Sequence, residues 1–308
     1  MIGDLLKEQR ILKGLSRKEL AEGICSEKYI YLIEKNERNP SVYILNDLSE
    51  RLAFDFFPYY GYLEFEKPDL VVQHRQKFDY DVQKGDVFHL KKEAEKASKL
   101  NDFQKEPLIY DIKVINLYYK VLVENKVEET ISELEKLLAK DDLVIGSIAL
   151  IHTKVILASA YQKKGDLNSA EKITLRAYEM VKQKKGFDRY NTVAITVLIA
   201  LITLYFNNED YEKMLSVSKE LRTYQKEKND YNRIYYVEFY LAFAYLEKNQ
   251  KEEAKKHFMD GVHSALLFKN AFDIQTIMEF KGFEELSKKL NIDQKYLEQF
   301  KEIVKETK

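Results

Sequence analysis

The residue types that most often carry catalysis or metal binding are sparse in this chain of 308 residues. There is one cysteine, Cys25, and no two of the five histidines have the i, i+4 spacing of a helical metal site. Neither a G-x-x-x-x-G-K-S/T phosphate-binding loop nor a G-x-G-x-x-G dinucleotide motif occurs in the sequence. We therefore predict that the protein is not an enzyme and uses no metal or cofactor.

Recognition of DNA is indicated by the stretch 16–35, which reads SRKELAEGICSEKYIYLIEK. Ser16 and Glu19 have the spacing of a capping box, so a helix is expected to start near Arg17. A glycine then permits a turn, and Ser26 is placed to cap a second helix. Two short helices joined by a tight turn are the layout of a helix-turn-helix, in which the second helix enters the major groove.

The second helix has one apolar face and one polar face. Ile30 and Ile33 are spaced to face inward, which turns the charged and tyrosine side chains outward. Because residues 1–57 are nearly neutral, we expect modest affinity per domain and therefore a homodimer on two half-sites of double-stranded DNA. The predicted DNA-binding residues are Arg17, Lys18, Ser26, Glu27, Lys28, Tyr31, Lys35 and Arg38.

Several residues of this region resemble the repressor-like (XRE) family of bacterial helix-turn-helix regulators, over about residues 3–57. That family often has glutamine at the position of Arg17 and small polar residues at those of Lys28 and Tyr31. The resemblance therefore implies the fold, but not which DNA sequence is read. The matching residues are Leu15-Ser16, Glu19-Leu20-Ala21, Ile30, Ile33-Glu34 and Asn39-Pro40-Ser41.

Further helices are predicted on either side of this pair. The first spans residues 2–13 and is expected to place Leu12 on its inner side. Asn39-Pro40 is expected to stop the helix that reads DNA, and Ser41 is expected to cap a helix over residues 42–52.

An aromatic-rich segment follows at residues 55–65, and Pro58 fits the first turn of a helix there. Two interpretations are open: a fifth helix that packs on the first four, or a connector that also forms a dimer interface. We assign residues 58–69 to the connector, with a domain boundary at Lys67-Pro68-Asp69.

Short polar turns recur at a nearly constant interval from residue 70 onward. A fixed period of this size indicates a solenoid of paired helices. The predicted fold is therefore all-α, with a helix-turn-helix domain at 1–57 and a repeat domain at 70–308, to which the family resemblance described below assigns peptide binding and dimerisation. The residues that follow the turns, at separations of 40, 40, 44 and 40, are Val87, Val127, Leu167, Tyr211 and Lys251.

One unit resembles a tetratricopeptide repeat, because small and aromatic residues fall at that family's spacing. The period exceeds the usual 34 residues and no proline closes the units, so HEAT-like helical pairs are the structural alternative. The residues that carry the resemblance are Ala158, Tyr161, Gly165, Leu167, Ala170 and Ala177.

The first helices of such pairs line a concave groove. The expected lining mixes apolar and aromatic side chains with amide, hydroxyl and imidazole groups, which suits an extended or partly helical peptide. The predicted groove residues are Ile115, Tyr119, His152, Val155, Ser159, Thr196, Ile199, Thr203, Asn207, Tyr236, Phe239 and Phe243.

A repressor-like domain followed by a five-repeat solenoid resembles the RNPP group of Gram-positive quorum-sensing regulators, which includes PlcR-like and Rgg-like proteins. The resemblance implies a cytoplasmic homodimer whose repeats bind a short signalling peptide, and in which binding changes the placement of the DNA-reading domains. The family commonly holds the peptide backbone with asparagine side chains. Asn207 fits that role by position, and Asn116 and Asn191 are further candidates.

Composition agrees with a location in the cytoplasm. Charged residues make up 33% of the chain, charges within the first turns leave no apolar region of the kind a signal peptide has, and a single cysteine fits a reducing compartment. The longest apolar run, 193–206, is shorter than a membrane span, so a buried helix and no membrane partner are predicted.

Two alternative functions are open. The first is a DNA-binding scaffold whose repeats dock a protein partner without any peptide signal. The second and weaker one is a repeat-type phosphatase, as in the Rap proteins, which share such repeats but lack a helix-turn-helix.

Overall fold

Helices make up the regular structure, and no strand occurs among the residues that the computed structural model describes. Those residues are 2–62, 65–139, 147–183, 191–269, 271–279 and 283–306. The chain divides into two compact units, one of Met1–Phe78 with Lys92–Ile112 and one of Asp79–Lys91 with Lys113–Lys308. The boundaries predicted above for the DNA-binding domain and the repeat domain, at residues 57 and 70, stay a prediction.

The N-terminal helices enclose a small core of aliphatic side chains and one phenylalanine. Leu20, Ile30, Ile33 and Leu48 are among its fully buried members. The predicted cap of the fourth helix is confirmed, since the Ser41 hydroxyl accepts the Ile44 N–H. The helices are α1 (Ile2–Leu12), α2 (Arg17–Ala21), α3 (Glu27–Glu34), α4 (Val42–Leu52) and α5 (Phe57–Tyr60).

Two details of these helices differ from the sequence prediction. Leu12 is 71% exposed, so it does not face inward. The inner position near the end of α1 is taken by Arg10, because its guanidinium binds a buried carboxylate. The helix α3 ends at Glu34, before Asn39-Pro40, because Asn36 adopts the left-handed conformation with φ of 57°.

The aromatic segment after α4 packs on the preceding helices, as the first of the two interpretations expected. Phe56 is fully buried, and the ring of Phe54 lies 4.7 Å from that of Phe56 and 5.8 Å from that of Tyr59. The helix α5 is a single turn with Pro58 at its start, as predicted. A role of this segment in a dimer stays a prediction.

Within the described ranges, five helical pairs follow, and the second helix of each begins at the residue predicted from the turn period. Three further helices follow these pairs. The pairs are α6 (Pro68–Lys84) with α7 (Val87–Ala97), α8 (Ile109–Leu122) with α9 (Val127–Leu138), α10 (Ser147–Lys164) with α11 (Leu167–Gln183), α12 (Asn191–Asn207) with α13 (Tyr211–Lys228), and α14 (Ile234–Glu247) with α15 (Lys251–Phe268). The further helices are α16 (Ala271–Glu279), α17 (Phe283–Lys289) and α18 (Gln294–Glu306).

The turn of every pair contains one residue in the left-handed conformation, which ends the first helix and reverses the chain. Glycine adopts this conformation freely and asparagine tolerates it, which accounts for every one of these turns except that of Glu209. The residues concerned are Gly85, Asn125, Gly165, Glu209 and Asn249.

The apolar run 193–206 lies inside α12, and much of it is buried against the neighbouring helices, as predicted. Within the described ranges, no helix is long and apolar enough to cross a membrane.

Candidate DNA-binding surface and peptide-binding cavity

The predicted capping pattern holds α2 and α3 in place. The Ser16 hydroxyl accepts the Glu19 N–H at 3.2 Å, and the Glu19 carboxylate accepts the Ser16 N–H at 2.7 Å. The Ser26 hydroxyl accepts the Tyr29 N–H at 3.1 Å at the start of α3. Ile30 is fully buried, so packing fixes the inner face of α3, which is the predicted recognition helix.

The predicted DNA-binding residues lie at the surface. Seven of the eight are exposed, and Arg17 is half-buried. Tyr31, the largest of them, is 41% exposed on α3. The exposed members, which include side chains from α2, α3 and the segment after α3, are Lys18, Ser26, Glu27, Lys28, Tyr31, Lys35 and Arg38.

Arg17 has a role that sequence reasoning missed. Its Nε lies 2.7 Å from Oε2 of Glu34, and its guanidinium lies 5.3 Å from the centre of the Tyr31 ring. The ammonium of Lys35 lies 5.9 Å from the centre of that same ring. Two cations beside one ring restrain the tyrosine. The only signal in the sequence was an arginine where the resembled family often has glutamine.

The carboxylate that binds Arg17 also binds Arg10. Its Oε1 lies 2.5 Å from Nε of Arg10, whose Nη1 donates to the Leu15 carbonyl at 2.8 Å. Burial alone would raise the pKa of Glu34, but the hydrogen bonds from Arg10 and Arg17 outweigh it and lower that pKa. The charged triad therefore ties α1, α2 and α3 together beneath the recognition surface.

In the repeats, a partly exposed stripe runs along α12. Thr196, Ile199 and Thr203 are half-buried and Asn207 is exposed, at the spacing of one helix face. Most residues between them are buried in the surrounding core. The sequence therefore predicted correctly which face of α12 is open.

A cavity of about 610 Å³ lies at the end of this stripe. It brings together two residues predicted to bind peptide, Asn207 and Phe243. The rings of Phe206 and Phe243 meet edge to face with centres 5.1 Å apart, and Tyr211 also lines the cavity. An aromatic wall beside an exposed amide is a suitable surface for a peptide side chain and backbone.

The turn between α8 and α9 differs from the turns of the other four pairs. In four of the five turns, the N–H just before the second helix bonds to a carbonyl five residues back, as from Asp166 to Tyr161. In the α8–α9 turn, the Lys126 N–H bonds to the Lys120 carbonyl, six residues back. One extra residue rotates the helix face by roughly 100°.

Asn116 and Tyr119 consequently face α7, the second helix of the preceding pair. The Asn116 Oδ1 accepts a hydrogen bond from Nζ of Lys91 at 2.7 Å. The Tyr119 ring packs edge to face against Phe88 at 6.0 Å. Both side chains are half-buried and line a cavity of about 570 Å³, so their predicted role in peptide binding stays a prediction. Ile115 is 8% exposed and is part of the core, so its predicted place in the groove was wrong.

Phe239 was also predicted wrongly, because it is only 4% exposed. Its ring lies 5.3 Å from those of Phe258 and Phe283, in the core between α14 and the helices after it. A Cβ on Gly261 would lie 3.0 Å from the Phe239 ring, so the packing here is close.

The remaining predicted groove residues have mixed surroundings. His152, Val155, Ser159 and Tyr236 are half-buried. The Thr203 hydroxyl bonds to the buried Tyr240 hydroxyl at 2.9 Å. Burial raises the pKa of Tyr240 to about 12, although the bond to Thr203 opposes that rise. The side chain of Asn191 lies outside the described residues.

A buried charged cluster that the sequence did not reveal lies between α13, α14 and α15. Glu238, His257 and Asp260 have ligand atoms within 4.8 Å of one another. The Glu238 carboxylate is already bonded on both oxygens, to Arg222 Nε at 2.9 Å and to His257 Nδ1 at 2.6 Å. These contacts neutralise the buried charge, which is the arrangement of a structural ion pair.

Two sequence comparisons bear on this geometry. Residues 6–56 match the helix-turn-helix family HTH_3. A stretch of 64 residues is 38% identical to the TPR repeat-containing protein YpiA of Bacillus subtilis (strain 168). That stretch is 21% of this chain and only 14% of YpiA, so the match covers a small part of the relative.

The fold resembles solved regulator structures over nearly the whole chain. PlcR of Bacillus thuringiensis, in complex with the peptide PapR7 and DNA, has a TM-score of 0.71 at 18% identity, over 92% of this chain and 98% of that one. ComR of S. thermophilus, with DNA and its signalling peptide ComS, has a TM-score of 0.56 at 17% identity, over 94% and 98%. The SHP pheromone receptor Rgg2 of Streptococcus dysgalactiae has a TM-score of 0.54 at 13% identity, over 94% and 99%. At such identities the likeness is one of fold.

Proposed function

We propose that this protein is a sequence-specific DNA-binding transcription regulator of the RNPP type. In this proposal its repeat domain binds a short signalling peptide, and binding changes the placement of the DNA-binding domains in a cytoplasmic homodimer. The helix-turn-helix match and the shared fold with PlcR, ComR and Rgg2 support a regulator and not an enzyme.

The observation that carries the proposal is the pairing of two open surfaces in one chain. Lys28 and Tyr31 are exposed on a recognition helix whose inner face is fully buried. Asn207 and Phe243 meet at a cavity on the first helices of the repeats. Lys28, Tyr31 and Asn207 are exposed and Phe243 is half-buried, so both surfaces are accessible to a partner.

The DNA-binding role is tested with the full-length protein and a random library of double-stranded DNA. Affinity is measured by fluorescence anisotropy for an enriched duplex and for its shuffled sequence. Lys28→Ala or Tyr31→Ala is expected to lose about 1–3 kcal/mol on the enriched duplex and much less on the shuffled one. Lys7→Ala, an exposed substitution on α1, is the matched control. Equal losses on both duplexes would contradict a base-reading role.

The peptide-binding role is tested by thermal unfolding of the full chain with short hydrophobic peptides. A peptide at about a hundred times its Kd is expected to add roughly 2.7 kcal/mol of stability. Sedimentation of the protein with and without the enriched duplex measures the dimer. A chain that binds DNA and that no peptide stabilises would instead fit the scaffold alternative.

A further inference from the structure

The lining of the 610 Å³ cavity carries an excess of negative charge. Among its described residues, four carboxylates and one ammonium line the cavity, which gives them a formal charge of −3 at neutral pH. This is unusual for a chain whose overall formal charge is −1. The charged residues of the lining are Glu209, Glu247, Glu279, Glu285 and Lys289.

The single ammonium is already engaged. Nζ of Lys289 lies 2.7 Å from Oε1 of Glu285, one turn away on α17. That hydrogen bond, with a smaller contribution from Glu247, raises the pKa of Lys289, and the same bond lowers the pKa of Glu285. Among the described residues of the lining, no second lysine, arginine or histidine balances Glu209, Glu247 and Glu279.

The negative charges of the lining also act on an aromatic residue of the cavity. The pKa of Tyr211 is raised by burial first, and then by the charges of Glu247 and Glu209. The helices α12 and α14 end at Asn207 and Glu247, and helix C-termini attract cations. Exposed faces of phenylalanine and tyrosine rings attract cations as well.

Resting on the function proposed above, we propose that this cavity binds a cationic part of the peptide. The group it fits is an ammonium, either a lysine side chain or a free N-terminus, beside an apolar side chain that packs on Phe206 and Phe243. The carboxylates would pair with the ammonium, and the ring wall would exclude water from the apolar neighbour. A C-terminal carboxylate or an acidic side chain would meet repulsion in the same place.

The experiment uses a bead-bound library of random hexapeptides attached through their C-termini. Arginine and histidine are left out of all three arms. One arm has free N-termini and no lysine, a second has acetylated N-termini and one lysine, and a third has acetylated N-termini and no lysine. Full-length protein is applied, and retained peptides are counted in each arm. Comparing the first two arms identifies which source of ammonium is bound.

The wild-type protein is expected to prefer a cationic arm over the third arm by roughly 2- to 30-fold, the range for two partly exposed ion pairs. The double variant Glu209→Gln/Glu247→Gln is expected to lose most of this preference while still binding apolar peptides. The matched control, Glu298→Gln/Glu302→Gln, removes two exposed charges on α18 and should keep it. Circular dichroism checks that each variant is folded.

The outcomes separate this inference from the function on which it rests. Retention without preference for a cation, or with preference for acidic peptides, overturns the inference and leaves peptide binding intact. A preference that persists in the folded Glu209→Gln/Glu247→Gln variant overturns the assignment to this cavity. If the wild-type protein retains no peptide at all, the proposed function fails and the inference fails with it.

Discussion

Replacing Glu34 with glutamine is expected to destabilise the helix-turn-helix domain by about 3–5 kcal/mol, which is the usual cost of leaving one member of a buried ion pair unpaired. The Glu34 side chain is 1% exposed and that of Arg10 is 11% exposed, so water cannot replace the lost charge. Arg17 is 35% exposed and keeps access to water. Most of the loss is therefore expected to come from Arg10.

The measurement is native-state hydrogen exchange of the full chain, read separately for residues 2–56 and for α14 and α15. Separate readings are needed because the chain has two compact units, and one overall transition would not report on a single unit. The free energy of opening should fall in 2–56 and stay unchanged in α14 and α15. The double variant Arg10→Met/Glu34→Leu removes both charges and is expected to recover most of the loss.

The Glu34 carboxylate also makes the stability of the helix-turn-helix domain depend on pH, and its pKa gives the direction of that dependence. Despite its burial, hydrogen bonds from Arg10 and Arg17 lower the pKa of Glu34 below its ordinary 4.5. A carboxylate with a lowered pKa in the folded state contributes stability that is present above pH 4.5 and is lost as the pH falls through the lowered pKa. The Glu34→Gln variant should lack this contribution. Two results would refute the reasoning. One is unchanged protection of residues 2–56 in Glu34→Gln, and the other is a double variant Arg10→Met/Glu34→Leu that is less stable than Glu34→Gln.

Three further outcomes are expected. Gly3→Ala should destabilise the packing of α1 on α3 by about 1–3 kcal/mol in the same exchange experiment, because the new Cβ would lie 1.9 Å from the Ile33 carbonyl oxygen. Asn207→Ala should weaken the thermal shift with peptide and leave DNA affinity unchanged; a loss of folding would place this residue in the core. Although burial opposes it, hydrogen bonds from two lysines lower the pKa of Glu93 to about 2, so its contribution to stability should vanish as the pH falls from 4.5 to 2. Acid unfolding monitored by circular dichroism should show a smaller loss of stability over this pH range in Glu93→Gln than in the wild-type protein.

The start of each second helix was predictable from sequence because its turn has a local chemical cause. Gly165 and Asn249 are residue types that adopt the left-handed conformation readily, so they mark the turns within the sequence itself. The end of α8 was not predictable in the same way. A constant period between turns does not show that one turn holds an extra residue, so the burial of Ile115 was not foreseen.

The misassignment of Phe239 has a different physical reason. The helix α14 reads IYYVEFYLAFAYLE and is apolar on nearly every side, so its periodicity does not distinguish the open face from the buried ones. The position of Arg17 over Tyr31 depends on how α2 packs against α3, and such tertiary contacts leave no local pattern. Burial of the aliphatic residues in the helix-turn-helix was predictable because α3 and α4 are amphipathic.

The contacts between successive first helices set how many residues of a ligand can lie across them. Among the described residues, the row of first helices in mutual contact includes α10, α12 and α14. At roughly 10 Å between neighbouring axes, these three helices span about 20 Å. An extended chain advances roughly 3.3 Å per residue, so about six residues of a ligand cross them.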